Sequence, residues 1–189
     1  MMKKIDPRVL KTRALLLNAI RDLTIEIGMS NLTILNVTKR AGVNRSTFYL
    51  HFQNKEEAIQ AMTNELLEAF KEALMEGDYI DIHQAYEDYY HAHKPYAEAI
   101  KLFRHIQQFN DLYSILLNDQ SFQKRITNVI LTHLSQSNKK ESELSFVTYG
   151  IIGLIQYWLN NGMQESVEEI SLELTRVTID FSVKNEISG

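Results

Sequence analysis

Between Thr33 and Lys55 the chain changes texture. The run TILNVTKRAGVNRSTFYLHFQNK carries two short apolar patterns, one on each side of Ala41-Gly42-Val43. An isolated helix needs about 12–15 residues to persist in water. Two patterns of this size therefore fold only against each other and against something larger. Thr33 and Asn44 are N-cap residue types placed at the start of each pattern, and Gly42 suits the left-handed residue that ends the first. Ile34, Val37, Ala41, Val43 and Phe48 are spaced to hold the pair together. Helix, glycine turn, helix is a constrained arrangement, and in a helix-turn-helix the second helix enters the DNA major groove.

The second short helix divides by angle, at about 100° per residue. Phe48 and Phe52 share an inward face. Tyr49 and His51 fall on its two flanks, with Ser46, Thr47 and Leu50 between them on the outward side. A helix in a groove has a phosphate backbone on each flank. A phenol and an imidazole can each donate to phosphate there, and Lys55 adds a point charge at the next helix start. Arg45, Ser46 and Thr47 sit in the first turn, which reaches base edges; Arg45 has the fork that pairs with guanine O6 and N7. Leu50 has no evident core partner and is placed to touch a thymine methyl or a sugar. Taken singly, a half-buried tyrosine or a surface histidine explains Tyr49 or His51 as well. The combination points to DNA.

Outside this run the pattern predicts an all-α chain. There is no Asn-Gly or Asp-Gly hairpin turn and little sustained alternation. Asp6-Pro7 reads as N-cap and N1 of a helix to Ile27, with Val9, Leu16, Ile20, Leu23 and Ile27 along its stripe. Gly28, Gly42, Gly77 and Gly162 each follow a helical pattern. Asn54 and Glu57 have capping-box spacing and open a fourth helix to about Glu76. Further helices are predicted over Ile82–His93, from Pro95 in a first turn to Phe109, over Asp111–Leu117 and Phe122–Leu134. A polar loop is expected over Ser135–Glu143, then helices over Leu144–Leu159 and, capped by Ser166 with Glu169, to Phe181. The expected domains are a three-helix helix-turn-helix module over 1–55 and a larger helical ligand-binding and dimerisation domain over 56–189.

Charge follows this division. The whole chain carries −4, but residues 1–57 hold ten basic and five acidic side chains, whereas residues 58–189 hold ten and nineteen. A net of +5 beside a net of −9 directs a polyanion to the N-terminal part alone. The absence of cysteine excludes disulfides, thiolate metal sites and cysteine nucleophiles. The N-terminus lacks the apolar core of a signal peptide. The most apolar stretch, Phe146–Leu159, is short of the roughly 20 residues that span a bilayer. A cytoplasmic protein with no membrane partner is expected.

At the residue level the run T33-ILNVTKRAGVNRSTFYLHFQ-N54-K55-E56 resembles the TetR family of transcriptional regulators. The Ala-Gly-Val turn, the Phe48-Tyr49 and His51-Phe52 pairs and the Asn54-Lys55-Glu56 helix entry carry the likeness, with Arg13, Leu16, Leu17 and Ala19 upstream. The resemblance implies a homodimer that binds a two-fold double-stranded DNA operator and answers to a small-molecule effector, more often as a repressor. It also implies phosphate contacts from Thr33, Tyr49, His51 and Lys55, with Arg45, Ser46 and Thr47 near bases. Asn44 stands where serine is common, and Arg45-Ser46 departs from the usual pair, so base preference does not carry over. FNDLYSILLND from Phe109 and YGIIGLIQYWLNNGMQES from Tyr149 resemble a C-terminal domain type of TetR-type regulators in Firmicutes.

The apolar helix Leu144–Leu159 offers too many apolar faces for one core. Gly150 and Gly153 allow close helix approach, so Gly150, Gly153, Leu154 and Tyr157, with Leu174, Val177 and Phe181 of the last helix, are candidates for a two-fold four-helix interface. A central helix buried within one subunit is the other reading. Tyr86, Tyr89, Tyr90, Phe103, Tyr113, Tyr157 and Trp158 are candidates for an effector pocket, or ordinary core. Among His83, His91, His93 and His105, only Glu87 and His91 share a helix face, which is too few ligands for a metal. No catalytic set and no phosphate-cradling glycine loop stand out, so neither an enzyme nor a cofactor is expected. The alternative from another class is a helical small-molecule-binding or interaction protein whose helix-turn-helix has lost DNA.

Overall fold

The computed structural model describes residues 6–75, 82–135 and 140–186. Among the described residues every extended element is helical: α1 (Pro7–Ile27), α2 (Ile34–Ala41), α3 (Arg45–His51), α4 (Lys55–Met75), α5 (Ile82–Ala92), α6 (Ala97–Gln108), α7 (Asn110–Leu116), α8 (Gln120–Leu134), α9 (Glu141–Asn160) and α10 (Val167–Glu186). The packing divides the chain into two compact units, Met1–Leu66 and Leu67–Gly189, and the division falls inside α4.

The first unit is α1 laid against α2, and α2 against α3. Asp6 accepts from Arg8 N at 2.9 Å, with Pro7 at the first position. Leu16, Leu17, Ala19, Ile20 and Leu23 are buried, but Val9 and Ile27, expected on the same stripe, are exposed. Length explains this: at 1.5 Å per residue a 21-residue helix is more than twice as long as the eight-residue α2 that covers it. Gly28 has positive φ with extended ψ rather than the left-handed cap, and leads into a 3₁₀ turn over Met29–Asn31 that sequence pattern did not announce. Gly42 is left-handed, at φ 66° and ψ 32°. Gly77 lies outside the described residues.

The second unit is built on burial. Leu102, Phe103, Ile106, Tyr113, Leu116, Phe122, Ile126, Ile130, Ile155 and Trp158 are essentially inaccessible. Helix α10 packs on α5, α6 and α9, while α9 also meets α7 and α8. Full burial of one large apolar side chain stabilises by about 1.5–3 kcal/mol, so this cluster rather than any terminus fixes the helices. Trp158 shows how a polar edge is accommodated: its indole N–H donates to the Glu165 carbonyl at 2.9 Å, and its ring stands edge-on to Phe103 at 5.3 Å.

Several helix ends differ from the pattern reading. Pro95 precedes the cap residue Tyr96, so α6 starts beyond the proline. Helix α8 begins earlier than Phe122 because Asp119 caps it, accepting from Phe122 N at 2.8 Å. Helix α9 takes in Glu141–Glu143 from the expected loop, where Glu143 accepts from Lys140 N at 3.3 Å. Helix α10 continues past Phe181 to Glu186.

Candidate nucleic-acid interface

The first unit holds its two short helices by local hydrogen bonds. Thr33 Oγ1 accepts from Asn36 N at 3.2 Å, and Asn36 Oδ1 accepts from Thr33 N at 2.9 Å. This reciprocal box uses Asn36, which the sequence reading had not singled out. The Thr33 hydroxyl proton is not consumed by it. At the end of α2, Arg40 forms a bidentate pair with Glu26 of α1, at 2.7 and 2.5 Å, with Asp22 at 3.7 Å. The hydrogen bond to Arg40 holds the Glu26 carboxyl below its ordinary range, and the same bond raises the guanidinium.

Helix α3 presents the surface. Phe48 and Phe52 are buried, their rings 5.6 Å apart, and the Arg13 guanidinium lies 4.7 Å above Phe52. Opposite them Leu50 is 83% exposed. Tyr49 is exposed on one flank and His51 half-buried on the other. Arg45 and Ser46 are exposed, and Thr47 is half-buried. Lys55, at the start of α4, is within 3.9 Å of Glu56. Asn54 caps α4 through Glu57 N at 2.8 Å, but the Glu57 carboxylate reaches back to Gln53 N, at 2.6 Å, one residue earlier than the usual box.

Asn44 caps α3 as its residue type predicts, but two features were not read from sequence: the two further donors to that cap oxygen and the partner of Arg45. Asn44 Oδ1 accepts from Thr47 N at 2.8 Å and from the hydroxyls of Ser46 and Thr47 at 2.6 and 2.7 Å. Arg45 donates to the Tyr49 phenol oxygen from Nη2 at 2.9 Å and Nε at 3.3 Å. The i, i+4 spacing of Arg45 and Tyr49 was the available signal for the second. Together they give an outward side carrying one leucine and two hydroxyls, with donors on both flanks. That is the chemistry of a helix lodged between two phosphate strands.

Known proteins share this sequence pattern and fold. Residues 16–62 match the model for bacterial regulatory proteins of the tetR family, and residues 94–180 match the model for a transcriptional regulator C-terminal region. The chain belongs to the TetR family. Its N-terminal unit is the family's helix-turn-helix, with α2 and α3 as the two helices. Over 61 residues it is 41% identical to an uncharacterised HTH-type transcriptional regulator, YxbF, of Bacillus subtilis strain 168; the match covers 32% of this chain and 16% of that protein. Its fold is that of a TetR regulator from Streptococcus agalactiae 2603V, with TM-score 0.65 at 20% identity over 90% of this chain and 94% of that one. The fatty acid degradation regulator FadR of Bacillus halodurans is similarly close, with TM-score 0.67 at 13% identity over 94% and 97% of the two chains.

In the C-terminal unit of this TetR-family chain the aromatic candidates separate. Phe103, Tyr113 and Trp158 are core, Tyr86 and Tyr90 are exposed on α5, and Tyr89 and Tyr157 line a cleft of about 750 Å³ with His93, Leu154 and three glutamates, 165, 169 and 173. Tyr157 donates to Glu165 at 3.0 Å, and that hydrogen bond raises its phenol pKa. His105 Nε2 meets the Tyr113 hydroxyl at 2.8 Å among Phe70 and Phe109. Burial lowers this imidazole's pKa to about 4 and pushes the Tyr113 phenol up. His91 pairs with Glu87 at 3.1 Å, and no group of three metal-ligating side chains assembles among the described residues. No helix there is long and apolar enough to cross a membrane. Of the interface candidates, Gly150 and Gly153 are exposed with open space where a Cβ would stand. Tyr157 and Val177 are exposed, Leu154 half-buried and Leu174 buried. The side chains of Phe181 and His83 lie outside the described residues.

Proposed function

We propose that this protein is a cytoplasmic, homodimeric, DNA-binding transcriptional regulator, acting as a repressor, whose C-terminal unit takes a small-molecule effector. The observation that carries the reading is α3 itself. Its aromatic pair is buried, while Tyr49, His51, Ser46, Thr47 and Leu50 face outward on a short, capped helix. Thr33 and Lys55 extend the phosphate grip at either end.

A seven-residue helix reads few base pairs, and helix-turn-helix proteins gain affinity by pairing two half-sites about one DNA turn apart. The second copy has a surface to meet. On α9, Phe146 at 69%, Tyr149 at 65% and Tyr157 at 51% exposure lie with Gly150, Gly153 and Leu154 at 3- and 4-residue spacing, which is one helix face. Apolar faces of this kind favour an isologous partner. An effector would act by binding one conformer of the dimer better than the other, about 1.4 kcal/mol for each tenfold shift.

The test is a gel shift with duplex DNA flanking the protein's own gene, repeated across salt. Binding is expected to fall steeply with salt as phosphate contacts are lost. The combined Tyr49→Phe and His51→Ala variant should lose binding, and Gly153→Arg should sediment as a monomer and bind poorly. Unchanged affinity and salt slope in the first variant would sink the interface. A fully dimeric Gly153→Arg protein would remove α9 from the dimer.

A further inference from the structure

We infer that Ser46 and Thr47 recognise the amino groups of bases, adenine N6 or cytosine N4, because the cap of α3 has already taken the proton of each hydroxyl. The inference rests on α3 being the helix in the groove. The backbone N–H of Thr47 donates to Asn44 Oδ1 at 2.8 Å, which fixes the amide, since its nitrogen cannot accept. That oxygen carries no hydrogen. The Ser46 and Thr47 hydroxyls, 2.6 and 2.7 Å away, are therefore both donors into it. A hydroxyl has one proton. What each oxygen keeps for the DNA is lone pairs.

Their direction suits the floor of the groove. At about 100° per residue, Leu50 points opposite the Phe48–Phe52 face, Ser46 lies about 40° to one side and Thr47 about 60° to the other. Arg45, the strongest donor on the helix, lies on the Tyr49 flank with its guanidinium on the phenol oxygen. A phenol that accepts from Arg45 still has its own proton to give a phosphate. The central face of α3 thus offers acceptors and one apolar side chain, and its donors stand on the flanks. In the major groove only adenine N6 and cytosine N4 donate; guanine O6 and N7 and thymine O4 repel an acceptor. Turning either hydroxyl toward guanine or thymine would break an existing bond to Asn44.

The test is selection by the full-length protein from duplexes with a randomised core, followed by single-atom changes in the enriched duplex. The expected result is a fixed pair at the positions facing α3, with its adenine N6 or cytosine N4 amino group on the strand nearer Ser46 and Thr47. Replacing that adenine by purine, which lacks the N6 amino group, should weaken wild-type binding about tenfold, the scale of one good base contact. The same replacement should cost the Ser46→Ala/Thr47→Val variant nothing. Asn44→Gly keeps a tolerated cap residue, frees both protons, and should shrink the loss caused by removing the N6 amino group. An equal loss on purine replacement in wild type and double variant overturns the inference while leaving α3 in the groove. Failure to enrich any sequence overturns both.

Discussion

The helices of the two units begin in different ways. In the N-terminal unit α1, α2 and α3 each start on a side chain that accepts a backbone N–H: Asp6, Thr33 and Asn44. In the C-terminal unit α6 and α7 start on Tyr96 and Phe109 with no side-chain cap at all, while α8 and α10 have Asp119 and Ser166. Short helices depend on their termini because the unpaired groups are a large share of their backbone. The helices around Phe103, Tyr113 and Trp158, the seven-residue α7 included, depend instead on apolar area. The first kind of order is local in sequence; the second is not.

The comparison breaks most visibly if equal truncations are made in each core. Phe48→Ala and Trp158→Ala should each cost about 3–5 kcal/mol. A unit of 66 residues holds only about 3–10 kcal/mol in total, and one nearly twice as long holds correspondingly more. Phe48→Ala should therefore abolish hydrogen-exchange protection across α1–α3 and leave α6–α10 protected. Trp158→Ala should weaken protection in α6–α10 without abolishing it. Retained protection across α2 and α3 in Phe48→Ala would mean that they do not depend on this core.

A smaller effect separates the units by pH. The folded pKa of His105 is depressed to about 4 by burial, against 6.5 for the free side chain. The unfolded chain then binds the extra proton first. Stability is unaffected above about pH 6.5 and is lost as pH falls from there toward about 4. After allowance for partial solvent exposure the loss should be about 1 kcal/mol at pH 5. His133, lowered by burial in the same direction, adds to it. Denaturant midpoints of the wild type and His105→Gln at pH 7 and pH 5 check this; equal pH losses would show that His105 is not the sensor.

The smallest effect belongs to the N-terminal unit. Glu26→Gln removes the partner of Arg40, yet both side chains are well exposed. The melting temperature should fall by no more than about 2 °C, and the difference should vanish in 1 M salt. In the wild type this pair's contribution is present above the ordinary carboxylate range. It is lost as pH falls through the lowered Glu26 value, a more acidic window than that of His105. A large, salt-insensitive drop would show that the pair is a buried structural clamp.

What was legible in the sequence follows the same division. Thr33, Gly42 and Asn44 announced α2 and α3 because capping and a left-handed turn are decided within four residues. Phe48 and Phe52 were legible as an inward pair from their spacing alone. Val9 and Ile27 had the same spacing, but whether a stripe is covered to its ends depends on the length of the helix that covers it. Likewise nothing local distinguishes Trp158, fully buried, from its neighbour Tyr157, half exposed beside Glu165. The pairing of Arg45 with Tyr49 had an i, i+4 signal but needed side-chain geometry to be seen. The triple acceptor at Asn44 had none beyond the cap itself.

Gly150 and Gly153 carry a consequence for the stability of the lone subunit. Each costs α9 about 1 kcal/mol of helix propensity relative to alanine. Within the subunit nothing lies near enough to need the missing methyl. A subunit selected for its own stability alone would replace both at once, since the change is a single small side chain into open space. On the proposed two-fold interface, the open space at both positions is room for the partner's α9. Alanine at either position should make the isolated chain more stable and weaken the proposed α9 dimer, with opposite signs readable in one protein by dilution.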